Sequence, residues 1–420
     1  METKLTLPKL TNTKGAAVSH DRIEQFQTAF RGEVIHPDDF GYETARKIWN
    51  ASIDKHPGMI VRCSGVADVV AAVNFARENE LLVAVCGGGH NVSGKALCDD
   101  GIVIDLSGMK GIHVDAKNHT ARVQGGATLG DLDRETHVFG LAVPAGIISK
   151  TGIGGLTLGG GVGWLVRKYG LTCDNVLSFD IVTADGEPRV ASANENEDLF
   201  WALRGGGGNF GVVTSFEFRV HPVSTVLGGL VMYPRDRAVE VLRFYRDFTQ
   251  SAPEELTAYA ALLHTPDGIP AVAVIACYCG DVTEGEKVFK PLRTFGSPMV
   301  DVIQPMPFPQ MQTFWTRASR TVTITTGNRH SCVSLAMMRL SSLWSMRIGR
   351  HLHSARRLSS TMVESRVGLV SPKLLLRNGK PNMTFSSLHN GWIQESPSAI
   401  SNGLAVWRIR CVLSQAVRTS

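Results

Sequence analysis

The chain has 420 residues, of which 43% are hydrophobic and 19% are charged, a composition typical of an ordinary soluble protein with two or three domains. The polar start, METKLTLPKLTNTKG, and the lack of any apolar run of membrane-spanning length predict a cytoplasmic protein without a membrane partner. Eight cysteines without paired C-x-x-C knuckles argue against a zinc site or a disulfide framework, so we expect free thiols.

The net charge of +5 is unevenly distributed along the chain. Residues 315–420 contain 13 Arg and 2 Lys against only Glu364 and Glu395, a balance of +13, and they contain no Asp. The first 314 residues therefore carry a net charge of −8. The basic residues are neither clustered with aromatic residues nor set on one helical face, so they do not indicate a nucleic-acid partner.

From about residue 56 to residue 222, short β-rich runs alternate with amphipathic helices. MIVRCSG, LLVAVCGGG, GIVIDLSG, TARVQGG and SFDIVTADG are predicted strands, and FGVVTSFEFRVHPV is predicted as one long strand ended by Pro222. TLGDLDRETHVFG and NENEDLFWALRGG are predicted helices. VADVVAAVNFARENE is a further predicted helix, whose buried face should consist of Val66, Val69, Val70, Val73 and Ala76. The pattern indicates an α+β fold with mixed sheets.

Residues 223–314 keep both periods and predict a second domain. RAVEVLRFYRDFTQ has the pattern of a helix, and AVAVIACYCGD that of a buried strand. Beyond residue 314 the apolar residues are scattered and show no clear period.

Two glycine clusters dominate the sequence, GGGHN at 87–91 and GIGGLTLGGGVG at 152–163. Glycine permits positive φ and lets backbone amides approach an anion closely, so such loops often bind phosphate groups. A tight turn or close packing would explain one cluster, but two clusters beside apolar elements favour a ligand. The P-loop spacing is absent, and a G-x-G-x-x-G pattern at Gly206, Gly208 and Gly211 follows a helix instead of a strand. A module that binds a different nucleotide stays an alternative.

GGGHN combined with PAGIISKTGIGGLTLGGGVGWLVRKYGLTCDN resembles the FAD-binding domain of the vanillyl-alcohol-oxidase and p-cresol-methylhydroxylase (PCMH) superfamily. More narrowly, residues 30–314 resemble the berberine-bridge-enzyme-like FAD-linked oxidases, close to their bacterial members. The resemblance implies a two-subdomain PCMH-type FAD-binding domain and a second α+β substrate domain, in which helices cover an antiparallel sheet. It assigns residues 1–55 to the N-terminal part of the FAD domain, 56–222 to the PCMH-type domain and 223–314 to a partial substrate domain.

The resemblance also implies the residues that hold FAD. His90 corresponds to the histidine bonded to the 8α-methyl of the flavin, and Cys173 to the cysteine that some relatives bond to flavin C6, so FAD would be attached twice. The remaining residues fall into three groups. They are Gly88, Gly89, Asn91 and Ser93 around the pyrophosphate; Pro144, Gly154, Gly155, Gly160 and Gly161 on the other side of the cofactor; and Gly211 and Val212 near the isoalloxazine or adenine end.

The chemistry of the ring supports these tethers. Isoalloxazine is electron-poor at C6 and at the 8-methyl group, so a thiolate and a neutral imidazole are suitable nucleophiles. A hydrogen-bonded loop histidine and a buried cysteine are the alternatives.

The implied function is an FAD-dependent oxidase that removes hydride from a C–H next to an alcohol, amine or sugar hemiacetal carbon to flavin N5. Oxygen is the implied acceptor, and a small-molecule substrate is the other implied partner. No residue matches the catalytic base, and no metal is implied. The alternative is an FAD-binding protein that has lost turnover through a damaged C-terminal segment.

Residues 315–420 lack the aromatic-rich signature that the family carries after its second domain. Read from the third base of each codon, with free choice of synonymous codons, residues 315–339 permit a segment containing NYW that resembles the missing motif, and residues 382–394 permit another. We therefore predict a frameshift between about Gln312 and Trp315, with 315–420 as an out-of-frame basic tail. A divergent basic tail is the alternative.

The nucleotide sequence around codon 313 checks this prediction. The alternative frame should stay open and encode the missing motif, whereas early stop codons in that frame would contradict the frameshift.

Overall fold

The structure is a computed structural model that describes residues 10–265 and 267–319, with side chains up to Phe314. The helices are α1 (His20–Ala29), α2 (Tyr42–Ala45), α3 (Val66–Glu78), α4 (Leu129–His137), α5 (Ile153–Leu158), α6 (Val166–Tyr169), α7 (Glu197–Leu203), α8 (Ala238–Gln250), α9 (Val282–Thr294) and α10 (Phe308–Ser319), with 3-10 turns η1 (Thr172–Asn175) and η2 (Arg235–Arg237). Within these described ranges, no helix is both long and apolar enough to cross a membrane.

The strands in the described part of the chain belong to four sheets. They are β1 (Glu33–Ile35), β2 (Met59–Arg62), β3 (Val83–Cys86), β4 (Ile102–Asp105), β5 (Ile112–Asp115), β6 (Thr120–Gln124), β7 (Leu141–Ala142), β8 (Val176–Val182), β9 (Pro188–Ser192), β10 (Val212–Arg219), β11 (His221–Pro222), β12 (Thr225–Pro234), β13 (Leu256–His264), β14 (Pro270–Tyr278), β15 (Val300–Asp301) and β16 (Gln304–Pro307).

The first sheet has the order β1-β2-β4-β3 and shares a core with α1 and α3. Strands β2 and β3 run parallel to β4, whereas β1 is antiparallel to β2. Phe26 of α1 stacks on Phe75 of α3 with ring centroids 4.4 Å apart. This sheet carries the first glycine loop directly after β3.

Helix α3 confirms only part of the predicted apolar face. The structure buries Val69, Val73 and Ala76. Val66 is 43% exposed, so the prediction is wrong for this residue, which is the first of the helix and lies at its edge. Asp68 takes the buried place in the first turn, where its carboxylate accepts a hydrogen bond from the backbone N–H of Ser64 at 2.8 Å.

The second sheet is antiparallel, with the order β5-β6-β10-β8-β9, and packs against α4 and α7 around Phe179 and Phe216. The predicted long strand ending at Pro222 is divided here into β10 and β11. The reason is that β6 begins at Thr120, opposite Arg219, so the chain beyond Arg219 leaves this ladder and pairs with β7.

The third large sheet is antiparallel, with the order β13-β14-β12-β15, and β16 also pairs with β12. Helices α8 and α9 cover one face around Tyr233, Tyr245 and Phe289. The other face packs against α10 and against Trp164, which belongs to the second glycine loop. The sheet of the second domain thus lies directly on the segment that carries the candidate site.

Helix α10 joins the two parts of the chain through one buried polar contact. Nε2 of Gln312 donates to Oδ2 of Asp133 at 3.1 Å and to the carbonyl of Gly146 at 2.9 Å. Asp133 is 3% exposed and Gln312 is 1% exposed. Burial raises the pKa of Asp133 to about 7, and the hydrogen bond from Gln312 opposes this shift.

The predicted frameshift junction lies within α10, whose backbone runs on to Ser319. The rest of the tail, residues 320–420, lies outside the described residues. The frameshift therefore stays a prediction.

Asp133 should make stability depend on pH. Below about pH 4 its carboxyl is protonated in both states. Between about pH 4 and pH 7 the unfolded chain loses this proton while the folded chain keeps it. The free energy of unfolding therefore falls across this range by roughly 4 kcal/mol, since the pKa rises from 3.8 to about 7. Above about pH 7 both states are ionised and the loss is complete.

We predict that Asp133→Asn removes this loss, because an amide does not ionise and its oxygen can still accept from Gln312. Urea unfolding between about pH 5 and pH 8 measures the difference. The free energy of unfolding of the variant, relative to that of the parent chain, should increase as the pH rises to about 7 and should then stay constant. Asp38→Asn, which changes an exposed carboxyl, is the control. A difference for Asp133→Asn that is independent of pH would contradict the prediction.

Candidate functional site

The two glycine clusters meet in the structure. A Cβ added to Gly88 would overlap the backbone of Gly152, and a Cβ added to Gly152 would overlap the backbone of Gly88. Gly154 is also packed closely, because an added Cβ there would lie 3.1 Å from the carbonyl oxygen of Gly125. Close packing therefore requires glycine at 88 and 152, and it fixes the first loop against the start of α5.

One glycine of the second cluster leaves open space, and three further glycines have positive φ. An added Cβ at Gly155 would meet no atom of the described chain within 4 Å, and Gly155 is exposed. Gly89, Gly160 and Gly161 have φ values of +62°, +107° and +77°, in the region that favours glycine. Gly160 is buried, and an added Cβ at Gly161 would overlap Oγ1 of Thr172, so the bare exposed backbone here is that of Gly155.

The first loop presents backbone donors and one imidazole. Within the described ranges, the N–H groups of His90 and Val92 donate to no other protein group. Oδ1 of Asn91 accepts from Oγ of Ser93 at 2.9 Å and from N of Lys95 at 2.9 Å. The side chains of Asn91 and Ser93, which were predicted to lie around the pyrophosphate, are exposed and stabilise the turn through these hydrogen bonds. The backbone amides of the loop stay available to bind an anion.

His90 is half-buried at the end of this loop, and the indole of Trp49 stacks on its ring. Burial lowers the pKa of His90 below its ordinary value, and the charge of Lys150 lowers it further. Because the imidazole is then neutral at pH 7, one ring nitrogen carries a free lone pair. His90 therefore has the protonation state that a nucleophile needs.

Cys173 lies in the 3-10 turn η1 and is 3% exposed. Its backbone N donates to the carbonyl of Gly160 at 2.9 Å, and its carbonyl accepts from Nε of Arg204 at 3.0 Å. Burial raises the pKa of the thiol to about 11; Asp174 adds to this shift and Arg204 opposes it. The thiol is therefore protonated at pH 7, which does not favour attack on an electron-poor carbon.

Helix α5 separates the two candidate tethers. Gly152 directly precedes α5 and contacts Gly88, whereas Gly160 follows α5 and contacts the turn of Cys173. A helix of six residues rises about 9 Å. Gly207 donates to the carbonyl of Leu158 at 2.9 Å, so a third glycine-rich loop joins the same end of α5.

The other predicted residues occupy structural positions. Gly211 has a φ of +146°, and an added Cβ there would overlap the carbonyl of Val182. Val212 is buried and pairs with Val182 in the second sheet, and Pro144 is also buried. Contact of these three residues with a cofactor stays a prediction.

Sequence reasoning missed Trp49, Lys150 and Arg204, which adjoin the predicted tethers. Trp49 precedes His90 by a long stretch of chain, and only the fold brings the two rings together. Lys150 lies inside the quoted motif PAGIISK, and its basic side chain beside a glycine loop was the available signal.

The residues present fit FAD. The loop amides and Lys150 suit the pyrophosphate, and bare glycine backbone suits a flat ring. Oγ1 of Thr157 in α5 and Oγ1 of Thr172 in η1 are buried without a partner in the described chain, so a polar ligand would satisfy an otherwise costly arrangement. The described residues contain no group of three or more His, Cys, Asp or Glu placed to hold a metal ion.

Comparisons with known proteins also indicate FAD as the cofactor. Residues 57–192 match the family described as an FAD binding domain. An FAD-linked oxidoreductase of Dictyostelium discoideum is 40% identical over 293 residues, which are 69% of this chain and 63% of that protein. The chain therefore spans less than two thirds of the length of this relative.

Solved structures share the fold. The crystal structure of 6-hydroxy-D-nicotine oxidase from Arthrobacter nicotinovorans has a TM-score of 0.66 and 34% identity, covering 71% of this chain and 66% of that chain. A berberine-bridge-enzyme-like protein of Physcomitrella patens has a TM-score of 0.65 and 28% identity, covering 70% and 64%.

The matched family segment contains both glycine clusters and both candidate tethers. The predicted fold class is confirmed, with a PCMH-type FAD-binding domain followed by a second α+β domain whose antiparallel sheet is covered by helices. The chain carries an FAD binding domain, and its relatives and structural neighbours are FAD-linked oxidoreductases and berberine-bridge-enzyme-like proteins.

Proposed function

We propose that this protein is an FAD-dependent oxidase that removes hydride from a C–H next to an alcohol, amine or sugar hemiacetal carbon. FAD, when bound, supplies the hydride acceptor at flavin N5, and oxygen is the final acceptor. The observation that carries the proposal is the contact between the two glycine loops at Gly88 and Gly152, with His90 at the end of the first loop. The solved relative named 6-hydroxy-D-nicotine oxidase supports oxygen as the acceptor. A cytoplasmic location is part of the same proposal.

The free backbone amides of the first loop would hold the pyrophosphate, and the bare backbone near Gly155 would lie beside the cofactor. His90 would be the residue that holds the flavin at its 8α carbon through a ring nitrogen. The bond would replace the imidazole N–H and one C–H of the methyl group, and oxygen would take both hydrogens and two electrons as hydrogen peroxide.

Cys173 is the proposed second tether, through a bond from sulfur to flavin C6. The bond would replace the S–H and one ring C–H, and oxygen would again take both hydrogens and two electrons as hydrogen peroxide. With a pKa of about 11, about one thiol in 10,000 is ionised at pH 7. The thiol would therefore have to lose its proton before sulfur could attack the ring.

We propose residues 223–314 as the substrate domain, resting on the second glycine loop. Oη of Tyr259 donates to the carbonyl of Gly163 at 3.3 Å, and the rings of Trp164 and Tyr259 meet edge to face at 5.2 Å. Arg167 donates to the carbonyls of Leu256 and Ala252. These contacts support a substrate space bounded by both domains.

Attachment is tested on the purified protein incubated with FAD. His90→Ala should remove most of the covalent flavin, because it deletes the nucleophile that is neutral at pH 7. Cys173→Ala should keep one flavin per chain through His90. The mass of the denatured protein measures both results.

The controls are His113→Ala, which changes an exposed histidine of β5, and Cys277→Ala, which changes a buried thiol of β14. Both should keep the covalent flavin of the parent chain. Unchanged covalent flavin in a double variant of His90 and Cys173 would overturn the tethers.

The reaction is tested with the FAD-loaded protein and a panel of alcohols, amines and sugars in the absence of oxygen. A substrate should bleach the yellow colour, and admitted oxygen should restore it with release of hydrogen peroxide. Free FAD with the same panel is the control. A loaded protein that no member of the panel bleaches would contradict turnover while leaving FAD binding intact.

A further inference from the structure

Trp49 is an exposed tryptophan that nevertheless has a defined partner. Its side chain is 62% exposed, and its ring lies 5.0 Å from the ring of His90, with 19° between the two planes. An exposed indole usually packs on whatever apolar surface is near, whereas this one packs on the candidate tether.

The backbone around Trp49 fixes it to the same loop. The N–H of Trp49 donates to the carbonyl of Gly89 at 2.9 Å, and Nδ2 of Asn50 donates to the carbonyl of Val92 at 2.7 Å. An added Cβ at Gly89 would lie 3.4 Å from the side chain of Ile48. Residues 48–50 therefore hold the loop on both sides of His90.

The stack leaves the reactive atoms of His90 accessible. The lone pair of an imidazole nitrogen lies in the plane of the ring, whereas Trp49 covers a face of the ring. A carbon can therefore approach the nitrogen from the edge while the indole stays in place. The stack fixes the plane of the imidazole, which would otherwise rotate among several side-chain rotamers.

We propose that Trp49 is a positioning residue that fixes the imidazole plane of His90 for bond formation to a flavin. The inference rests on the proposed attachment of FAD to His90. Trp49 contacts neither the proton nor the bonds that change when flavin is attached to His90. It acts only by orienting the imidazole, so it should change the rate of attachment. It should have little effect on the affinity for FAD, which depends on the backbone amides.

The test compares Trp49→Leu, Trp49→Phe and the parent chain during incubation of flavin-free protein with FAD. The mass of the denatured protein, followed over time, gives the rate of attachment. Quenching of flavin fluorescence, measured before attachment has begun, gives the dissociation constant of the non-covalent complex with FAD. Trp49→Leu should slow attachment about tenfold, the upper range for loss of one aromatic pair. Trp49→Phe should stay within about threefold of the parent chain, because it keeps an aromatic face.

Trp201→Leu is the matched control, since Trp201 is 77% exposed and lies on α7. It should change neither the rate nor the dissociation constant. A second measurement needs no flavin: the ring protons of His90 in the proton NMR spectrum should lose their ring-current shift in Trp49→Leu. His90→Ala identifies those signals.

The outcomes separate this inference from the proposed function. If the parent chain forms no covalent flavin, the proposed attachment fails and the role of Trp49 fails with it. If the parent chain attaches flavin and Trp49→Leu does so equally fast, the role of Trp49 alone is overturned. An equal loss of rate and of FAD affinity would also overturn it, because it would indicate general damage to the loop.

Discussion

The contact between the backbones of Gly88 and Gly152 is the constraint on which the site depends. Neither residue can carry a side chain there, because a Cβ on either would overlap the other. This contact sets the distance between strand β3, which ends at Cys86, and helix α5. It thereby fixes the first loop, with its free amides, against the start of α5. Gly88 and Gly152 thus allow two backbones to pack closely, whereas Gly155 leaves open space next to the backbone.

Burial acts in opposite directions on the two proposed tethers. It lowers the pKa of His90 and raises that of Cys173, because in each case it disfavours the charged form. For the histidine the uncharged form is the nucleophile, whereas for the cysteine it is the inert form. Burial therefore favours the nucleophilic form of the proposed histidine tether and the inert form of the proposed cysteine tether. Lys150 adds to the effect on His90, and Arg204 partly offsets it at Cys173.

Much of the fold could be predicted from local patterns. Strands such as β2 and β4 are short apolar runs, and helix α4 begins with a capping box formed by Thr128 and Asp131. The prediction is wrong for Val66 because periodicity predicts which face of a helix is apolar, but not how deeply each end of the helix is buried in the core. The division of the long strand at Arg219 depends on where β6 begins, which is a property of another segment.

For the site, the motif identified His90 and Cys173 as candidates, whereas Trp49 lies far upstream and carries no pattern that links it to the loop.

The contact of Gln312 with Gly146 has a consequence for the order of events during synthesis. The carbonyl of Gly146 lies in the segment that leads into the second glycine cluster, and its donor comes 166 residues later in the chain. Domains generally fold as units while the N-terminal part emerges first from the ribosome. The segment before the second cluster therefore gains this hydrogen bond only after nearly the whole second domain has been made. Completion of the cofactor domain is in this respect a late step, and it depends on the last part of the described chain.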